Sequence, residues 1–245
     1  MGDLLLGLVG SGEFEPWSRD VDRWLFERAD GDGRILVAPT ASAPEGAAVF
    51  DGWAGRGLAH YAEMGLRAEL LDVRGPADAG RHDVADQVRG ASLVYFSGGN
   101  PAHLARTLSG SVLWGAIREE MARGMVYAGC SAGMACLGRT APDSDVQEFT
   151  ADLWQPGLAV FPRAWLGPHW DALDRFAPGL LAHIDATVPR DDILLGVDEY
   201  TAVLGDGSDW TVAGIGAAHA RVDGEWHRYP PGALFHLPLL EGEPA

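Results

Sequence analysis

Residues Met125 to Gly133 leave few folds open to this chain. Met125-Val126-Tyr127-Ala128 is a short apolar run that reads as a buried strand. Gly129-Cys130-Ser131-Ala132-Gly133 then turns it sharply into a small-residue segment suited to start a helix. The pattern is G-x-S-x-G, in which a serine stands at the tip of a tight strand-to-helix turn. Glycines on both sides let the backbone fold closely enough for the hydroxyl to stand clear. The helix that follows aims backbone N–H groups at the same spot, which suits a developing oxyanion. A serine there also serves simply as a helix cap, so the motif needs support from the rest of the chain.

That support begins with a β-α-β-α alternation. Apolar runs at residues 4–9, 34–38, 67–73 and 92–96 read as parallel strands leading to the elbow strand. Between them, helices are expected over 17–29, 44–64 and 78–88. A further helical run opens at Asn100-Pro101 and carries Leu104, Leu108, Leu113, Ile117 and Met121 on one face. Gly52, Gly55 and Gly57 weaken the middle of the 44–64 helix. The alternation predicts a doubly wound, mostly parallel α/β sheet with helices on both faces. Residues 139–168 look irregular, with one short strand near 158–161, and 169–183 read as helical. From 193 onward, short β-type runs separated by turns such as Asp206-Gly207 predict antiparallel strands added at one sheet edge. With neither repeats nor a low-complexity linker, residues 1–245 are expected to form a single domain.

Charge narrows the partners. Eighteen basic residues, all Arg, face 35 acidic ones, for a net charge of −17. So acidic a chain is a poor match for nucleic acid or an anionic membrane surface. The absence of Lys removes Schiff-base and P-loop lysine chemistry. Cys130 and Cys136 do not read as a disulfide framework, and Cys and His do not cluster as zinc ligands. The N-terminus lacks a basic n-region and no apolar run is long enough to span a bilayer, so the expected setting is the cytoplasm.

In an open α/β sheet, ligands bind beyond the carboxyl ends of the strands. Gly10-Ser11-Gly12-Glu13, Ser97-Gly98-Gly99-Asn100 and the elbow all fall there. Gly98-Gly99 is where backbone N–H groups could approach a reacting carbonyl. A serine nucleophile needs a base, and of the eight His residues, His169 is delivered from a strand end by Leu166-Gly167-Pro168. For the acid that orients the imidazole, Asp143, Asp145, Glu148, Asp152 and Glu199 are all candidates.

Several segments together resemble a known family. These are Tyr95-Phe96-Ser97-Gly98-Gly99-Asn100, Ala128 through Gly133, Gly157-Leu158 leading to Pro168-His169-Trp170, and Gly196-Val197-Asp198-Glu199-Tyr200-Thr201-Ala202. They are similar to the aspartyl dipeptidase (dipeptidase E) and cyanophycinase family of serine peptidases, from the first strand to about residue 220. The resemblance implies a class I glutamine amidotransferase-like, flavodoxin-like sheet with Ser131 as nucleophile and His169 as base. It implies an oxyanion and substrate site built from Gly98, Gly99, Asn100 and Ala132. It also implies an acid shortly after the elbow helix, for which Asp143 is the first placement and Glu148 the reserve, with Glu199 as a further alternative.

The implied activity is hydrolysis of short peptides, dipeptidase-like, through an acyl-enzyme and without metal or organic cofactor. The implied partner is a small peptide, and a homodimer is compatible with this reading. Cyanophycinases carry an acid two residues before the His and several Arg after it; here Gly167 replaces the acid and only Arg175 remains, which argues against cyanophycin-like β-linked dipeptides. Cyanophycinase-like hydrolysis of β-linked dipeptides stays as an alternative within the family, and two rivals of other kinds stand beside it. One is a non-catalytic member that binds a small molecule or partner in the same pocket. The other is glutamine chemistry at Cys130, although Ser131, not Cys130, holds the centre of the motif.

Overall fold

A computed structural model of the chain describes residues 4–146 and 148–240. The five apolar runs become β1 (Leu6–Val9), β2 (Arg34–Ala38), β3 (Arg67–Leu70), β4 (Leu93–Phe96) and β5 (Val126–Cys130). All residues of β1, β4 and β5 are buried, as their unbroken apolar character requires of strands covered on both faces. The period of two divides the core between the faces: Leu6, Leu8 and Tyr127 pack on one side, Val9, Val126 and Ala128 on the other. The covering helices are α1 (Ser18–Phe26), α2 (Ala47–Glu63), the short α3 (Pro76–Ala79) and α4 (His82–Asp86), then α5 (Pro101–Leu108) and α6 (Val112–Met121). The single helical face read from Leu104 to Met121 is thus two helices. Gly110, at φ 65°, breaks the run, and Ser111 Oγ restarts it by accepting from Trp114 N–H at 3.0 Å.

After β5 come the one-turn helix α7 (Ala132–Ala135) and a hairpin of β6 (Thr140–Pro142) and β7 (Trp154–Pro156). The strand expected near 158–161 does not form. Leu158 and Phe161 N–H instead donate to Cys136 and Leu137 carbonyls, and the strand begins later as β8 (Ala164–Gly167). The helix expected over 169–183 is a 3-10 turn followed by α8 (Leu173–Phe176) and α9 (Leu180–Thr187), interrupted at Gly179 with φ 87°. The last strands are β9 (Ile193–Val197), β10 (Thr201–Gly205), β11 (Asp209–Gly214), β12 (Ala218–Val222), β13 (Glu225–Tyr229) and β14 (Leu234–His236).

The eight-stranded sheet runs β14-β11-β10-β1-β5-β4-β2-β3, parallel from β1 to β3 and antiparallel from β1 outward to β14. Only β10, β11 and β14 therefore extend its edge. β13-β12-β9-β8 form a separate four-stranded sheet, a correction to the expectation that every C-terminal strand joins one edge. The reason is that β8 pairs in parallel with β9, giving the later strands a second template. Two consequences position the site. β8 and β9 end side by side, with Gly167 opposite Gly196. Antiparallel β10 places its amino end, Thr201, beside the carboxyl end of β1.

Candidate active site

Ser131 has φ 50° and ψ −105°, an unusual conformation for a residue with a side chain. Strain of this kind costs about 1–3 kcal/mol and persists only where neighbours enforce it. They do so here. A Cβ on Gly129 would sit 2.3 Å from Gly133 O, and one on Gly133 would sit 2.2 Å from Phe96 O. The turn closes only with glycine at both positions. Ser131 N–H is tied to Val9 O at 2.9 Å, fixing the elbow to the neighbouring strand. Because α7 is a single turn, its free first N–H groups, more than an extended helix dipole, give this spot its donor character.

His169 Nε2 lies 3.0 Å from Ser131 Oγ. The ring reaches inward because β8 ends at Gly167 and His169 adopts a left-handed conformation, φ 52° and ψ 34°. Its other nitrogen, Nδ1, is 3.2 Å from Glu199 Oε1. A carboxylate there selects the tautomer with the proton on Nδ1, leaving Nε2 to accept from the serine hydroxyl. Glu199 is fixed in turn: Arg175 Nη2 donates to its Oε2 at 3.1 Å, and its own N–H donates to Asp171 Oδ1 at 2.8 Å. Side-by-side β8 and β9 deliver the two residues, one just past Gly167 and the other just past Gly196. Cβ atoms on those glycines would strike the Trp170 ring at 2.7 and 2.3 Å, so the pair also seats the aromatic that follows His169.

Asp143, the first placement for the orienting acid, is not at the imidazole. The β6 hairpin turns it toward Asn100, whose Nδ2 donates to Asp143 Oδ1 at 2.7 Å. Glu148 is exposed in the loop that joins β6 to β7, whereas the polar partners of His169 are Ser131 and Glu199. The alternative acid, Glu199, occupies the position. Asn100, expected at the substrate site, is buried as the cap of α5: its Oδ1 accepts His103 N–H at 3.0 Å. Gly99 has φ 139°, and a Cβ there would lie 2.3 Å from the Ala41 carbonyl carbon, so only glycine turns the chain at this point. Gly98 N–H is already engaged, donating to Glu13 Oε1 at 2.8 Å. Among the described residues, the N–H groups of Gly99 and Ala132 have no acceptor. Both are available to an oxyanion.

Glu13 has no role that the sequence made legible. It is buried, and its Oε2 accepts from Cys130 Sγ–H at 3.0 Å. Burial, reinforced by that carboxylate, pushes the Cys130 thiol well above its ordinary range. Cys130 is therefore a protonated, enclosed side chain, without the thiolate that glutamine chemistry would need.

These groups open onto a cleft of about 720 Å³ lined by Glu13, Phe14, Trp53, Gly98, Ser131 and His169 among others. Among the described residues no helix is long and apolar enough to cross a membrane.

Comparison with known proteins agrees with the motifs. A cyanophycinase from Geminocystis herdmanii (strain PCC 6308) is 26% identical over 249 residues, which cover 95% of this chain and 88% of that protein. The crystal structure of a peptidase from an acI-B1 Actinobacterium superposes with a TM-score of 0.87 at 29% identity, over 97% of this chain and 99% of the other. The model of peptidase family S51 matches residues 5–212, which include the elbow, His169 and Glu199. The chain belongs to peptidase family S51 and is a hydrolase acting on peptide bonds.

Proposed function

We propose that this protein is a serine peptidase that removes residues from short peptides in dipeptidase fashion, with Ser131, His169 and Glu199 as its triad. The observation that carries the reading is the 3.0 Å approach of His169 Nε2 to a hydroxyl held at a positive-φ elbow. Ser131 Oγ attacks the scissile carbonyl as His169 takes its proton, and Glu199 stabilises the resulting imidazolium. The N–H groups of Gly99 and Ala132 receive the carbonyl oxygen as it gains charge. His169 then returns the proton to the leaving amine, and water, activated by the same imidazole, releases the acyl group. Two free, buried cysteines fit a reducing compartment, in keeping with a cytoplasmic enzyme.

A fluorophosphonate probe tests the nucleophile directly. The wild-type protein is expected to be labelled at one site, and Ser131→Ala to take up no label. Labelling that persists in the variant rejects the assignment. A β-linked Asp-Arg dipeptide belongs in the substrate panel because one relative is a cyanophycinase. Poor turnover is expected, since Arg175, the Arg shortly after His169, is occupied by Glu199.

A further inference from the structure

Resting on the serine-peptidase reading, we infer that Glu13 is the specificity residue that receives the free α-ammonium of the amino acid whose carbonyl Ser131 attacks. Glu13 lines the same cleft as Ser131. Only 7% of it is exposed, yet both of its hydrogen-bond donors are neutral, a peptide N–H and a thiol. Among the described residues no Arg or His forms an ion pair with it. A buried carboxylate without a cation is costly, and the penalty falls when a ligand brings the missing charge.

Distance selects which charge. An ideal Cβ built on Gly98 would lie 3.3 Å from Glu13 Oε1 and 3.8 Å from Ser131 Oγ. The two oxygens are therefore within about 7 Å of each other, whereas an α-nitrogen is only about 2.5 Å from its own carbonyl carbon. Allowing about 3 Å for the attacking hydroxyl and about 2.8 Å for an ammonium–carboxylate bond, the first residue of a peptide spans this gap. In an extended peptide the amine of a residue one further upstream lies about 3.5 Å farther from the attacked carbonyl.

The loop that carries Glu13 is built to hold it there. Gly12 and Phe14 on either side have φ of 74° and 62°. Gly12 O accepts Trp17 Nε1–H at 2.6 Å, and the Phe14 ring lies 4.9 Å from that of Tyr95. Charge gives the device a catalytic consequence. A carboxylate this close to the attacked carbonyl opposes the developing oxyanion, and an ammonium held between them cancels that opposition. An acylated N-terminus would lack the cancelling charge and be rejected.

The test uses purified full-length protein, a library of dipeptides covering all twenty N-terminal residues, and the same library N-acetylated and as desamino analogues. The desamino compounds remove the charge without adding bulk. For wild type, kcat/KM is expected to fall about 100-fold or more for both neutral forms of any dipeptide that is cleaved. In Glu13→Gln the ratio of free-amine to neutral rates should collapse toward one. Because it is a ratio within one preparation, loss of folded protein cancels. A ratio unchanged in Glu13→Gln overturns the inference, since a purely structural carboxylate would lower both rates together. So does rapid wild-type hydrolysis of the desamino compounds, a result that stands even if the variant does not fold. Fluorophosphonate labelling separates the two levels of the argument. A labelled wild type that cleaves no free-amine dipeptide overturns the role of Glu13 alone, whereas failure of Ser131 to label overturns the peptidase mechanism beneath it.

Discussion

At the scale of single residues, the site turns on which acid stands behind His169. Glu199→Gln keeps the side chain's size but loses the charge that holds the imidazole tautomer and stabilises its protonated form. It is expected to lower kcat about 10²- to 10⁴-fold. Asp143→Asn, which alters contacts with the cap residue Asn100 and with Asp145 N–H but none with His169, is expected to leave kcat at the wild-type value. Steady-state kinetics on one cleaved dipeptide decides, and a large loss in the Asp143 variant alone would return the role to that residue. The cysteines provide a second residue-scale check. Burial raises both thiols, Cys136 to about 12. Native protein at pH 8 should therefore take up no iodoacetamide, while the unfolded chain takes up label at both positions. Rapid alkylation of native Cys130 would reopen the case for a reactive thiol.

At the scale of elements, α2 shows why a glycine count misleads. Gly52, Gly55 and Gly57 carry the same penalty by residue type, yet their surroundings differ. Nothing lies within 4 Å of a Cβ placed on Gly55, so Gly55→Ala should stabilise the protein by about 0.5–1 kcal/mol. A Cβ on Gly57 would lie 2.6 Å from Val37 Cγ1, where α2 packs on β2, and 3.0 Å from Phe14 Cζ. Gly57→Ala should cost about 1–3 kcal/mol. For a chain of this size each kcal/mol moves Tm by about 2–4 °C, so thermal unfolding should shift in opposite directions for the two variants. Shifts of the same sign would show that the helix does not seat on β2 as described. The elbow glycines obey the same logic more severely, because the atoms a Cβ would meet are backbone carbonyls that cannot swing aside.

At the scale of the whole molecule, folding keeps acidic groups protonated that the unfolded chain ionises in alkali. The Cys136 thiol moves from 9.0 to about 12, and burial also pushes the Tyr61, Tyr95 and Tyr127 hydroxyls well above their ordinary range. Above pH 9 the unfolded state has lost the thiol proton that the folded state retains, so folding takes up a proton and stability declines as pH rises. Cys136 contributes in full below pH 9, and its share is gone by about pH 12, at a slope of about 1.4 kcal/mol per pH unit between. Urea unfolding at pH 8 and pH 10.5 should show the decline, and Cys136→Ala should make it shallower. An identical decline in that variant would refute the assignment.

How much of this the chain announced in advance divides along the range of the forces involved. The parallel strands, the elbow and the identity of Ser131 and His169 follow from patterns within a few residues of one another: an apolar run, two glycines, a strand end. Apolar strands and tight turns are local demands, and a sequence states local demands openly. The acid behind His169, the engagement of Gly98 by Glu13 and the second sheet depend on which strands lie side by side. Glu199 reaches His169 because β8 and β9 pair in parallel with Gly167 opposite Gly196, and because antiparallel β10 turns its amino end toward the site. Strand pairing is decided by packing across the entire core, so no spacing along the chain could separate Glu199 from Asp143. The sequence by itself determined the elbow serine, the histidine that meets it and the sheet that carries them; only the tertiary structure decided which carboxylates face them.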